Sequence, residues 1–356
     1  MKIFLIILIL LLLLTPVVHA TDIVDTDGMT QELDEEVSRM LPEFDPQQPA
    51  DFWESLKTMF FGAFEKSSDS LYASLRLSAV LIALSTLCAV VQMTDSGRTS
   101  NAVAVGGALA ITTAMLGSFH SMLMLAENTV QDMADYSACF LPIMASATIA
   151  GGGITSAVAL YSGTVIFSQV LMQLISRLLI PFVYFYIGVA TAEAALSSDT
   201  LSEIREFIGW LISKSLRVLM YIFIAYMSIT GVISGSSDAA ALKATKAAVS
   251  GMIPVVGSIV SDASESLLAS AGLLKGSVGV FGMLAVIGIC IVPFLRVGIQ
   301  HIILKVTTAV CGTVGLTPHV KLLKNFSQAM GFLLGMCGAC ALMLLISTVC
   351  FLKVVV

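Results

Sequence analysis

The apolar residues of this chain come in long runs with almost no charge inside them, and that pattern excludes most folds. Leu71–Met93, Ala102–Leu125, Ile154–Ile175, Leu178–Ala195, Phe207–Ile233, Val278–Leu295, Ile299–Leu316 and Phe326–Leu352 all read as candidate spans. Crossing a bilayer takes about 20 apolar residues. Hydrocarbon cannot satisfy a free backbone amide, so such runs must be helical. The chain is 57% hydrophobic and 12% charged, whereas soluble domains are about 25% charged. The expected fold is therefore all-α: a polytopic membrane bundle of about six to eight transmembrane helices. Ala138–Ala150 is too short to cross, and Gly151-Gly152-Gly153 separates it from the next run. A re-entrant half-helix or a broken span fits this stretch.

The N-terminal region differs in kind. Lys2, the apolar run Ile3–Leu14, Pro16 and the small-residue site Val18-His19-Ala20 form a secretory signal pattern, with residues 1–20 as the signal peptide. Residues 21–50 form an acidic leader on the far side of the membrane from the cytoplasm, closed by Pro42, Pro46 and Pro49. Between Thr21 and Ser70 there are 13 acids against 3 bases, while the rest of the chain is slightly basic. Residues 51–66 change again. Phe52/Trp53, Leu56, Met59/Phe60 and Ala63/Phe64 recur at helical spacing, and Asp51 with Glu54 resembles a capping box. An amphipathic helix lying in the membrane interface is expected there, with a helix packed on a partner as the other reading. Residues 71–356 form the multi-pass domain.

Loop charges give an orientation. With the N-terminus outside, eight crossings and a hairpin at the glycine triplet place Arg98, Arg177, Lys243, Lys246, Lys275, Lys321 and Lys324 inside. The same arrangement puts Glu127, Asp132, Asp135, Asp199, Glu203 and Glu206 outside.

Chemistry is sparse. All seven cysteines lie in or beside apolar runs, where a free thiol behaves as a small hydrophobe. Cys337-Gly338-Ala339-Cys340 matches C-x-x-C but lacks the surroundings of a redox or zinc motif. His120, His301 and His319 have no second ligand at helical spacing, so no metal site is expected. The sequence has no nucleotide-binding glycine loop, and no basic cluster suggests nucleic acid. No catalytic residue and no cofactor is assigned. Glu193, near the end of a span, reads as a membrane-edge residue. Gly279/Gly282, Gly331/Gly335 and Gly338 permit close helix approach, either within the chain or between copies as a homo-oligomer.

Residues 243–279 stand apart. They carry Lys246, Pro254, Gly257, Asp262, Glu265, Lys275 and Gly279 within a stretch rich in Gly, Ala and Ser. Asp262 and Glu265 share one face of a helix at i, i+3. They form either a cation or proton site or simply a wet face, since an intramembrane charge costs at least ~2.5 kcal/mol. Pro254 and Gly257 suit a helix start or hinge, and Lys275 can pair with an acid or snorkel to the surface. The segment is expected to face an assembly or to line a wet surface.

The ordered run Lys246-Ala247-Ala248, Ile253-Pro254-Val255-Val256-Gly257, Ser261-Asp262-Ala263, Leu273-Leu274-Lys275 and Val278-Gly279 resembles the stage III sporulation protein AE family. The resemblance runs from about Leu71 to the C-terminus. It implies a polytopic protein of an endospore-forming bacterium, made in the mother cell and placed in the membrane around the engulfed forespore. It further implies a channel-like or secretion-like complex that includes a forespore membrane protein and a separate cytoplasmic ATPase. That complex sustains late forespore gene expression. The family contributes no catalytic residues. Two other readings remain on the residues alone: a stand-alone secondary transporter using Asp262/Glu265, and an intramembrane enzyme, which would need a convergent set of reactive groups.

Overall fold

The computed structural model describes residues 33–42, 51–94, 99–150, 156–196, 199–229, 277–314 and 317–354. Regular structure in them is entirely helical: α1 (Glu35–Ser38), α2 (Phe52–Lys66), α3 (Ser68–Thr94), α4 (Thr99–Ala150), α5 (Ser156–Leu174), α6 (Ile180–Leu196), α7 (Asp199–Ile229), α8 (Ser277–Val314) and α9 (Thr317–Val354). Six stretches among these are long and apolar enough to span a membrane: Ser68–Met93, Ala102–Met144, Gly163–Leu196, Thr200–Ser228, Val278–Thr313 and Thr317–Cys350. The all-α polytopic bundle expected from sequence is thus the observed architecture, with six membrane-length helical stretches among the described residues.

Three expected interruptions are absent. The first is the acidic stretch around Glu127, Asp132 and Asp135, where the chain continues as one helix from Thr99 to Ala150 through Pro142. Ala138–Ala150 is its last part and not a separate half-helix. At about 1.5 Å per residue α4 is about 78 Å long, more than twice the ~30 Å hydrocarbon layer. Its acids therefore need not lie in lipid. The second is at Pro293 and Arg296, which α8 passes without a break. The third is between Leu174 and Ile180, where α5 and α6 join through the π-helical turn Ile175–Leu179. Pro181 follows at once and has no N–H to give Arg177. Its ring would also crowd that carbonyl in a regular α-turn. The widened turn, with Ile180 N–H bonded to the Ile175 carbonyl, relieves the conflict.

α8 and α9 pack along their lengths as a central hairpin, and α4 lies against both. Two sets of contacts mark opposite ends of the bundle. At one end His319 Nε2 lies 3.1 Å from the Ala104 carbonyl oxygen, and a methyl group on Gly107 would collide with His319 and Cys88. At the other, Phe140 stacks on Tyr136 at 5.3 Å and covers Gly282, where a Cβ would collide with the ring. Gln169 donates to the Ala134 carbonyl (3.0 Å), and Tyr226 stacks on Phe167 at 4.2 Å. α7 thus ends, and α8 begins, at the Phe140 end.

α2 packs on α8. Asp51 caps its first turn, accepting from the Trp53 and Glu54 amides. Phe52, Met59 and Ala63 are buried, with Met59 and Val37 against Gly288. Trp53, Phe60, Phe61 and Phe64 face outward. The expected amphipathic helix is present; one face is covered by the chain itself, and an aromatic face stays free.

Polar side chains inside the apolar helices are largely satisfied locally. Thr112, Thr129, Thr307, Thr308, Ser347 and Thr348 donate to carbonyls one turn back, a bonding mode open to hydroxyls in any helix.

A candidate polar cleft between helices six, seven and nine

Of the residues singled out in the sequence, Lys246, Pro254, Gly257, Asp262, Glu265 and Lys275 lie outside the described residues. Gly279 lies within them, buried in the first turn of α8. The small-residue faces are used inside the chain. Gly282 accommodates Phe140 of α4, Gly331 lies against His301 of α8, and Gly335 meets Leu216 of α7.

The strongest polar feature of the described residues is one that the sequence alone does not single out. It sits near the His319 end, where α6, α7 and α9 converge. Glu193 on α6 is buried, Arg205 on α7 is largely covered, and a 2.6 Å Nε–Oε2 contact joins them. The arginine also reaches Ser202 and Glu206, at 3.4 and 3.3 Å. On the next layer Tyr186 donates to Asn325 Oδ1 at 3.4 Å. Gly209 lets the helices approach this closely, since a Cβ there would lie 3.2 Å from the Tyr186 ring.

Tyr186, Arg205, Glu206 and Asn325 wall a cleft of about 480 Å³ whose lining also includes Trp210, Lys321, Lys324 and Gln328, with Glu193 behind Arg205. Glu206 and the two lysines therefore share one end of the bundle. The orientation inferred from loop charge puts them on opposite sides, and the merging of expected spans accounts for the difference. The signal for the pair is a single carboxylate in the apolar run Ala192-Glu193-Ala194, followed twelve residues later by an arginine on an amphipathic helix. A buried carboxylate of that kind needs a partner, and Arg205 supplies it.

Glu193 is committed to Arg205 and is no free base. The histidines are dispersed among separate contacts: His120 pairs with Tyr184, His301 Nδ1 lies 2.7 Å from the Ser327 carbonyl oxygen, and His319 pairs as above. Among the described residues no three His, Cys, Asp or Glu side chains converge as a metal site would require. Cys337 and Cys340 are buried free thiols, and Cys337 points to the Ala126 carbonyl at 3.8 Å.

Comparison with known proteins identifies one family. The family described as stage III sporulation protein AE matches residues 38–354. A curated relative, stage III sporulation protein AE of Bacillus subtilis (strain 168), is 21% identical over 308 residues, covering 85% of this chain and 75% of the relative. No solved structure matches. The match extends through all six membrane-length helices, from the short helix α1 to the last residue of α9, and the chain belongs to the stage III sporulation protein AE family.

Proposed function

We propose that this protein is a non-enzymatic, multi-pass subunit of the sporulation channel complex linking mother cell and forespore. It would sit in the mother-cell membrane surrounding the engulfed forespore and be required for late forespore development and gene expression. The observation that carries this reading is the family match over residues 38–354, which takes in the whole helical body. Supporting it, Glu193 is held by Arg205 in a structural pair, and the sequence lacks a nucleotide loop. A separate cytoplasmic ATPase would therefore supply energy, and a forespore membrane protein would complete the conduit. The 243–279 segment would be the assembly-facing element, with Asp262 and Glu265 on its wet side.

In-frame deletion in the native host tests the reading. Development should arrest after engulfment, and the tagged wild-type protein should recover the other complex subunits. Normal sporulation with no partner recovered would overturn it. Replacing Pro254 and Gly257 with Leu should reduce partner recovery at unchanged membrane abundance. Loss of the protein from the membrane would instead assign those residues to folding.

A further inference from the structure

Trp210 lines two cavities of opposite character. On one side is the polar cleft. Lys321 and Lys324 are exposed at its rim, and neither has an ion-pair partner among the described residues. Arg205 is shared by two glutamates and offsets one of their two charges, so against the remaining one the two lysines still leave the cleft net positive. Asn325 in the cleft wall is only 5% exposed. Its carbonyl oxygen accepts from Tyr186, while its amide nitrogen has no acceptor among the described residues. An unused donor on the cleft wall beside two lysines favours an anion.

On the other side is a groove of about 280 Å³ lined by Leu174, Leu178, Leu211, Val218 and Leu219, with Lys214 as its cation. Leu174, Leu178, Trp210 and Val218 are exposed on the outer surface. From Glu206 at the cleft to Val218 in the groove, α7 rises about 18 Å. One hydrocarbon leaflet is about 15 Å thick. A soluble anion would fill the cleft and leave the groove empty, whereas a molecule with a charged head and an apolar tail matches both.

We propose that α6, α7 and α9 form a binding site for an anionic phospholipid. Its phosphate would lie against Lys321, Lys324 and the Asn325 amide, and an acyl chain would run past Trp210 along Leu178 and Val218. Trp210 would sit at the head–tail boundary, a level that suits tryptophan. The inference is independent of the complex in which the chain works.

The chain has two tryptophans, so Trp53→Phe leaves Trp210 as sole reporter in the full-length protein. That protein would be reconstituted in phosphatidylcholine vesicles containing a small fixed fraction of bromine-labelled lipid. Brominated phosphatidylglycerol should quench Trp210 more strongly than brominated phosphatidylcholine, and millimolar inorganic phosphate should leave the excess intact. Lys321→Gln with Lys324→Gln should weaken the preference about 30-fold, at about a kcal/mol per cation. Glu206→Gln should strengthen it, a gain that misfolding does not produce. Equal quenching by the two lipids, or a preference indifferent to both lysines, would overturn the proposal. Abolition by free phosphate would also overturn it, by assigning the cleft to a soluble anion.

Discussion

The central hairpin and the outer helices are both apolar, yet they are held in different ways. The apolar stretches of α8 and α9 are largely buried within the protein, whereas those of α3 and α7 are mostly not. α9 achieves this with small residues: Gly331, Gly335, Gly338, Ala339, Cys340 and Ala341 allow neighbours to close in on several sides. α3 turns Leu75, Val80, Leu87 and Val91 outward and is tied to α8 by hydroxyl and amide contacts. Ser74 bonds Gln300, and Ser78 lies 2.6 Å from Thr307. α7 is tied by Arg205 to Glu193. The physical reason is that lipid tails are as apolar as leucine, so burial of apolar surface does not drive one membrane helix onto another. Close contact must come from shape at the centre and from polar links at the periphery.

Substitutions can break this contrast, and the largest effect should come from the periphery. Glu193→Ala leaves the largely covered Arg205 charge without its main partner, at an expected cost of about 3–5 kcal/mol, and Glu193→Gln with Arg205→Met should recover much of it. The apparent melting temperature of the detergent-solubilised protein reads both. If the double variant is as unstable as the single one, loss of the link itself, and not an unpaired buried charge, sets the cost.

The second test opposes centre to edge. Leu333 is fully buried and Leu87 is exposed. Leu333→Ala should cost about 2–5 kcal/mol through the cavity it leaves, while Leu87→Ala should stay within about 0.5 kcal/mol because lipid refills the space. Equal losses in the unfolding midpoint would erase the distinction between protein-facing and lipid-facing surface.

Gly282→Ala drives a methyl group into Phe140, whose ring is itself pinned by Tyr136. Overpacking of this kind costs about 1–3 kcal/mol. Gly117→Ala, with open space around it, should be neutral or slightly stabilising. The smallest effect is expected from Ser78→Ala, about 0.6 kcal/mol for one interhelical hydrogen bond in a membrane protein. A loss as large as that from Leu333→Ala would mean that one polar tie at the edge counts for as much as packing at the centre.

Much of the fold is legible in the amino-acid sequence. The apolar runs mark every membrane-length helix, and the spacing from Phe52 to Phe64 marks α2. Helix continuity is harder to read at three places, because charge and proline ordinarily signal loops. Through the acidic stretch a helical pattern nevertheless persists: Ala126, Val130, Met133, Ser137 and Phe140 are buried, while Gln131, Asp132 and Asp135 face outward. That periodicity is enough to bridge the gap. At Pro293 and around Pro181, local propensity opposes the helix, and surrounding packing or a π-turn absorbs the conflict. The Glu193–Arg205 pair is harder to foresee, since Glu193 taken alone reads as a membrane-edge charge and no local spacing ties it to Arg205.

The sequence by itself determined the class of molecule, because runs this apolar can be satisfied only by helices in a bilayer or a large protein interior. It also determined the family, through an ordered set of residues that composition cannot mimic. Which apolar face meets lipid and which meets protein was decided only in the tertiary structure, because hydropathy assigns the same value to both. The same holds for the polar cleft. Its walls come from three helices, with Tyr186 and Asn325 separated by 139 positions, and no local pattern records a contact that exists only once those helices have packed.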